Sequence, residues 1–219
     1  MSNVFSGEKW SIDRFVSGFS NNAFLVTCIR TGMSVIIDTP ADPTELIEAA
    51  EITRVEAVLI THGHRDHVEG FGDVSRNFPV PAGIGADDRQ SLPTSANVVI
   101  EVPTGNTIVV GDITLRAMAT PGHTPGSTCY VLESPDNSDV THVFTGDTLF
   151  PGGPGKSSSH EALNQIVESL KSHIFTLIDS TVVLPGHGEF TTIGDSKREF
   201  AVFESKPTDP SLYGDVTWT

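Results

Sequence analysis

Thr61-His62-Gly63-His64-Arg65-Asp66-His67-Val68-Glu69-Gly70 crowds three imidazoles and one carboxylate into the six positions from His62 to His67. The preceding Ala57-Val58-Leu59-Ile60 is apolar and β-prone, so the cluster begins where a strand ends. In extended backbone alternate side chains face the same side, which sets His62 beside His64, with Gly63 allowing a tight path between them. That pair can grip one ion. Asp66 and His67 follow as the chain turns into a helix reaching toward Asn77, so they address a second point in space. Ligand-type side chains at this density read as a metal site rather than a solvated polar loop.

A chain of 219 residues can bury a sizeable core and is too short for a second full domain. Residues 1–219 are therefore expected to form a single domain, with 206–219 as a peripheral tail. The hydrophobic fraction is 37%, without an apolar run near the roughly 20 residues that span a membrane. Met1-Ser2-Asn3-Val4-Phe5 lacks the basic start and long apolar segment of a secretory signal. Cys28 and Cys129 fall in expected strands without paired spacing and read as buried thiols, which suits a cytoplasmic location. A formal net charge of −15 at pH 7 repels a phosphate backbone, so nucleic acid is not an expected partner.

Outward from the histidines, strands are expected at Trp10–Phe15, Ala23–Ile29 and Ser34–Asp38. A helix over Pro43–Ala50 follows, with Asp42 as its cap and Pro43 at the first helical position. A short strand, Val80–Ile84, leads to a loop whose Asp87-Asp88 pair caps a brief helix. A second set of strands is expected at Asn97–Val102, Thr107–Val110, Ile113–Ala119, Ser127–Glu133 and Thr141–Thr145. Gly111-Asp112 makes one turn within it, and Ser134-Pro135-Asp136-Asn137-Ser138-Asp139 a connecting loop. Ser159–Lys171 carries Leu163, Ile166, Val167 and Leu170 at helical spacing, and Thr181–Leu184 is the last strand. Two comparable sets of elements fit two sheets sandwiched between outer helices.

Three further strand ends carry ligand-type side chains. Thr120-Pro121-Gly122-His123 and Leu184-Pro185-Gly186-His187 each place a histidine after a strand and a proline-glycine turn, and Phe144-Thr145-Gly146-Asp147 presents a carboxylate the same way. Side chains leaving the ends of several strands can converge on one sheet edge, where glycines let the backbone approach. His142, His160 and His173 lack that context and read as structural or solvated.

In order, His62-Gly63-His64-Arg65-Asp66-His67, Pro121-Gly122-His123-Thr124-Pro125-Gly126-Ser127, Thr145-Gly146-Asp147-Thr148-Leu149-Phe150 and Pro185-Gly186-His187-Gly188 resemble the motifs of the metallo-β-lactamase-fold hydrolases. Within that group the resemblance is to the glyoxalase II (hydroxyacylglutathione hydrolase) branch, over about Asn22 to Lys197. It implies an α/β (α+β) fold, a four-layer αββα sandwich with two adjacent divalent metal ions at the sheet edges. By motif, one ion would take His62, His64 and His123, the other Asp66, His67 and His187, and Asp147 would bridge them. Zinc is the expected metal, although the same donors suit iron or manganese.

The implied partner is a small-molecule acyl substrate. A cation can lower the pKa of water from about 15.7 to about 7, which supplies hydroxide to attack an acyl carbonyl, a thioester foremost, with Asp66 among the catalytic residues. Gly153-Pro154-Gly155-Lys156 lies where glyoxalase II has a glycine-rich run ending in a basic residue, so Lys156 is the expected substrate contact. A persulfide dioxygenase using one iron has a similar HxHxDH opening and is the alternative reading, ahead of a lactonase or β-lactam hydrolase. No Gly-x-Ser-x-Gly run supports a serine hydrolase.

Overall fold

The computed structural model describes residues 1–134, 138–206 and 209–218. Pro135-Asp136-Asn137 of the expected connecting loop lie outside the described residues, as do Pro207, Thr208 and Thr219 of the tail. An antiparallel meander comes first: β1 (Ser2–Ser6), β2 (Trp10–Ser17), β3 (Asn21–Cys28) and β4 (Met33–Ile37). Helix α1 (Thr44–Ala50) then crosses to β5 (Arg54–Leu59), which runs parallel to β4. Helices α2 (Arg65–Val68) and α3 (Phe71–Asn77) lead to β6 (Ala82–Gly83) and β7 (Val98–Ile100), each added in parallel. These seven strands form one sheet in chain order.

The second sheet collects β8 (Thr107–Val110), β9 (Ile113–Ala119), β10 (Thr128–Leu132) and β11 (His142–Gly146). A ribbon of β12 (Leu149–Phe150) and β13 (Gly153–Pro154) precedes α4 (His160–Ser172), and β14 (Val182–Pro185), β15 (Thr191–Thr192) and α5 (Ile193–Glu204) follow. Its strand order is β15-β14-β11-β10-β9-β8, with β14 parallel to β11.

Alternation along the strands decides what lies between the sheets. Phe24, Val26 and Leu59 of the first sheet meet Leu115, Tyr130, Phe144 and Leu184 of the second in one buried cluster. The intervening residues Leu25, Ile36 and Val58 turn outward under Leu46, Ala50 and Val74 of α1 and α3. On the far side, Val131, Val143 and Val183 lie under Ile166, Leu170 and Phe200 of α4 and α5. The layers are therefore αββα, as expected. Ser159 starts α4 by accepting a hydrogen bond from the Ala162 amide, and Leu163, Ile166 and Leu170 are its buried face, as their spacing leads one to expect. Cys28 and Cys129 are buried free thiols, and no helix among the described residues is long and apolar enough to cross a membrane.

Several local expectations fail for identifiable reasons. Asp42 does not cap α1; it sits at φ 52° and accepts from the Thr44 hydroxyl at 2.9 Å, so the helix starts one residue later than read, at Thr44. The helix from Asp66 toward Asn77 is broken into α2 and α3 because the Gly70 amide donates to Thr39 O at 2.9 Å. Val80–Ile84 pairs only at Ala82 and Gly83. Asp88 lies inside a 3₁₀ turn, Ala86–Ser91, rather than capping it. The expected peripheral tail is instead anchored: Val216 and Trp218 are buried, the Trp218 ring packs on Phe175 and Phe200, and its amide donates to Gly152 O.

Candidate metal centre

Strands from both sheets end at one edge, and their next residues carry the cluster. His62 and His64 follow β5, His123 follows β9, Asp147 follows β11 and His187 follows β14, while α2 supplies Asp66 and His67. His64 is the residue before α2 and keeps extended backbone, φ −67° and ψ 145°, so its ring points back beside His62. Close approach at this edge demands glycine: a Cβ on Gly186 would run into Asp147 Oδ1 and the His67 ring.

The donor atoms of His62, His64 and His123 lie within 4.8 Å of one another, and so do those of Asp66, His67 and His187. A third set under the same limit, His62, His67 and Asp147, joins the two. Asp147 reaches both sides, with Oδ1 3.4 Å from His67 Nε2 and Oδ2 3.5 Å from each of His123 Nε2 and His187 Nε2. All seven residues expected to be ligands are thus brought together.

Their lone pairs are aimed inward. The outer nitrogens of His123 and His187 donate to the carbonyls of Lys156, at 2.8 Å, and Phe19, at 3.2 Å. A carbonyl cannot donate, so the proton sits on Nδ1 and Nε2 keeps its lone pair for the centre. His62 Nδ1 likewise faces the Thr61 hydroxyl, whose own proton goes to Asp38 Oδ2 at 2.7 Å. Inside, His64 Nδ1 and His123 Nε2 are 2.9 Å apart, and His67 Nε2 and His187 Nε2 3.2 Å apart. His62 Nε2 and Asp147 Oδ1 are buried with no hydrogen-bond partner among the described residues. An unsatisfied buried polar group costs about 1–3 kcal/mol, and a divalent cation is the species that satisfies facing imidazole lone pairs and a carboxylate together. The residues present can hold a metal.

Charge states agree with that role. Burial holds His62 well below the ordinary imidazole range and His123 below it, so both are neutral. Burial opposes ionisation of Asp147 and Asp66, but imidazoles around the first and the Asn21 amide and His67 beside the second outweigh it and keep both carboxyls low. His67 behaves differently. Burial disfavours its imidazolium, yet Asp38 and Asp147 on either side raise its pKa to about 10, so a proton occupies a position that a cation would contest.

Two residues that hold the cluster were not legible as such. Asp38 ended an expected strand, and Asn21 fell between two of them. Asp38, at φ 60°, accepts from the Thr61 amide at 2.8 Å and hydroxyl at 2.7 Å, and faces His67 Nδ1 at 2.9 Å. Asn21 Nδ2 donates to Asp66 Oδ2 at 2.9 Å. Lys156 touches the cluster only through its carbonyl; its ammonium is exposed and 3.7 Å from Asp215 Oδ2. His142 is buried edge-on to Phe5, His160 donates to Leu212 O, and His173 ends α4; none belongs to these sets.

A double sheet with ligand-type side chains gathered at one edge defines the class: an αββα protein built around a metal-type cluster. Residues 16–187 match the model of the metallo-beta-lactamase superfamily, and the chain belongs to that superfamily. It is 38% identical over 217 residues to an uncharacterized protein of Mycobacterium tuberculosis, covering 84% of this chain and 95% of that one. It is 35% identical over 179 residues to a probable hydroxyacylglutathione hydrolase of Schizosaccharomyces pombe, covering 78% of this chain and 65% of that one. A metallo-beta-lactamase from Staphylococcus aureus superposes with a TM-score of 0.76 at 28% identity, over 89% of this chain and 62% of that one. The fold and family are those of a metallo-hydrolase.

Asp38→Ala should remove about 3–5 kcal/mol of stability from the metal-free protein, because it strands the buried Thr61 donors and takes away one of the two carboxylates beside the buried His67. Urea unfolding measures this, and a loss below about 1 kcal/mol would contradict the role given to Asp38.

Proposed function

We propose that the chain is a dinuclear metal-dependent hydrolase of small acyl compounds, thioesters foremost, in the manner of glyoxalase II. His62, His64 and His123 would hold one divalent cation, Asp66, His67 and His187 the other, and Asp147 would be shared. Zinc is the favoured metal, with iron or manganese served by the same donors. One observation carries this reading: two three-residue donor sets meet at a single carboxylate whose oxygens face both. When bound, such cations acidify water to a pKa of about 7 and polarise a carbonyl oxygen.

The chain's own residues do the rest. Asp147 and Asp66 stay ionised and so offer negative oxygens to cations. Carbonyls behind His123 and His187, and Asp38 behind His67, fix the rings so that reacting atoms would be held in one orientation. Asp66, held by Asn21, is the most open carboxylate of the cluster and faces incoming substrate. Lys156 lies on the loop that supports His123, where an anionic substrate group could displace Asp215 from its ammonium. The Schizosaccharomyces pombe relative supports a thioester as substrate, and the net charge of −15 disfavours a polyanion. Two buried free thiols suit a reducing cytoplasm.

Metal analysis combined with a panel of thioesters, lactones and β-lactams tests the proposal. Two zinc ions per chain and preferential thioester turnover are expected, with kcat/KM falling at least about 100-fold in Asp66→Ala. One iron per chain, with oxygen consumed in the presence of a persulfide and no hydrolysis, would overturn it. Lys156→Glu should raise KM about tenfold for an anionic thioester, equivalent to about 1.4 kcal/mol, and leave a neutral ester unchanged. Equal KM changes for both substrates would remove Lys156 from the contact role.

A further inference from the structure

Asp88 is an acidic residue buried to 5% exposure near the cluster, yet it points at no ligand nitrogen. Its carboxylate collects three donors from two loops. Oδ2 accepts from the Gly63 amide at 2.7 Å and the Thr124 hydroxyl at 2.6 Å, and Oδ1 accepts from the Gly126 amide at 3.0 Å. Gly63 lies between His62 and His64, after a strand of the first sheet. Thr124 and Gly126 follow His123, after a strand of the second. One carboxylate therefore ties together the two loops that carry the three-histidine set, and it does so across the seam between the sheets.

The packing around it is as close as backbone permits. A Cβ on Gly63 would strike the Ser91 hydroxyl and crowd Asp88, and one on Gly126 would strike the Asp88 carboxyl and amide. Both glycines therefore let the loops close on the 3₁₀ turn Ala86–Ser91 that carries Asp88. The other donor set has different supports, Asp38 behind His67 and Asn21 behind Asp66.

We propose that Asp88 is a positioning residue that sets the spacing of His62 and His64 against His123, and so governs how tightly those three hold their divalent cation. The proposal rests on the dinuclear reading above. Hydrogen bonds to an ionised acceptor are about twice as strong as neutral ones, and an amide cannot replace this acceptor. Either way round, an asparagine at 88 turns its NH₂ toward a backbone N–H, of Gly63 or of Gly126, and that loop loses its tie. The consequence is asymmetric: one ion loosens while the other stays.

Calorimetric titration of chelator-stripped full-length protein with Zn²⁺ tests this, using His64→Ala to mark which binding step belongs to the three-histidine set. Asp88→Asn should weaken that step by about 10–100-fold and leave the other at its wild-type affinity. Thr124→Val removes a single donor and should weaken the same step by a smaller factor, so it carries the test if Asp88→Asn does not fold. Wild-type protein taking fewer than two Zn²⁺ would overturn the dinuclear reading itself. Wild-type protein taking two, with both steps unchanged or both equally weakened in the variants, would overturn the role of Asp88 alone.

Discussion

A carboxylate enclosed by imidazoles is the interaction around which this molecule is arranged. Asp147 is half-buried, with Oδ1 closed from solvent and His67, His123 and His187 at 3.4–3.5 Å, and withdrawing an anion from water costs several kcal/mol unless positive charge compensates it. His67 supplies some of that charge by holding a proton to a pKa of about 10. A divalent cation held there would supply more, and would also satisfy the nitrogens that otherwise face one another. The αββα sandwich serves this arrangement by ending β5, β9, β11 and β14 at a common edge, so side chains far apart in sequence meet without any one loop having to be long.

Rigidity behind the cluster comes from a ring of oxygen acceptors. Asp38, the carbonyls of Lys156 and Phe19, and the Thr61 hydroxyl each take the outer nitrogen of one histidine. The carbonyl of Lys156 is itself held in place through the tail, since Ser157 and Gly214 exchange backbone hydrogen bonds at 3.1 Å and Trp218 is sunk among Phe175, Phe200 and Phe203. A segment that looks dispensable in composition thus supports the orientation of His123 at two removes.

What could be read from sequence, and what could not, follows from the range of the interactions. The apolar run before His62, the spacing in α4 and the proline-glycine-histidine turns are local patterns, so the longer strands, helix α4 and the residues that gather at the cluster were legible. Asp38, Asn21 and Asp88 are ordinary polar residues whose roles appear only when Thr61, Asp66 and Gly126 are brought to them, and those partners lie 23, 45 and 38 positions away. Helix α5 has no legible apolar stripe in sequence because, after Ile193, its first turns, Gly194-Asp195-Ser196-Lys197-Arg198-Glu199, are mostly polar. The tail was read as peripheral because its anchor, Trp218, stands among polar neighbours. Substrate contacts are the least legible part, since Lys156 declares a charge but its position beside Asp215 is set by the fold.

The most direct measurement is Zn²⁺ affinity in Asp147→Ala, read for both ions in one titration. A carboxylate shared between the two donor sets requires both binding steps to weaken together. If one step disappeared while the other kept its wild-type affinity, Asp147 would belong to a single ion and the account of a common centre would fail.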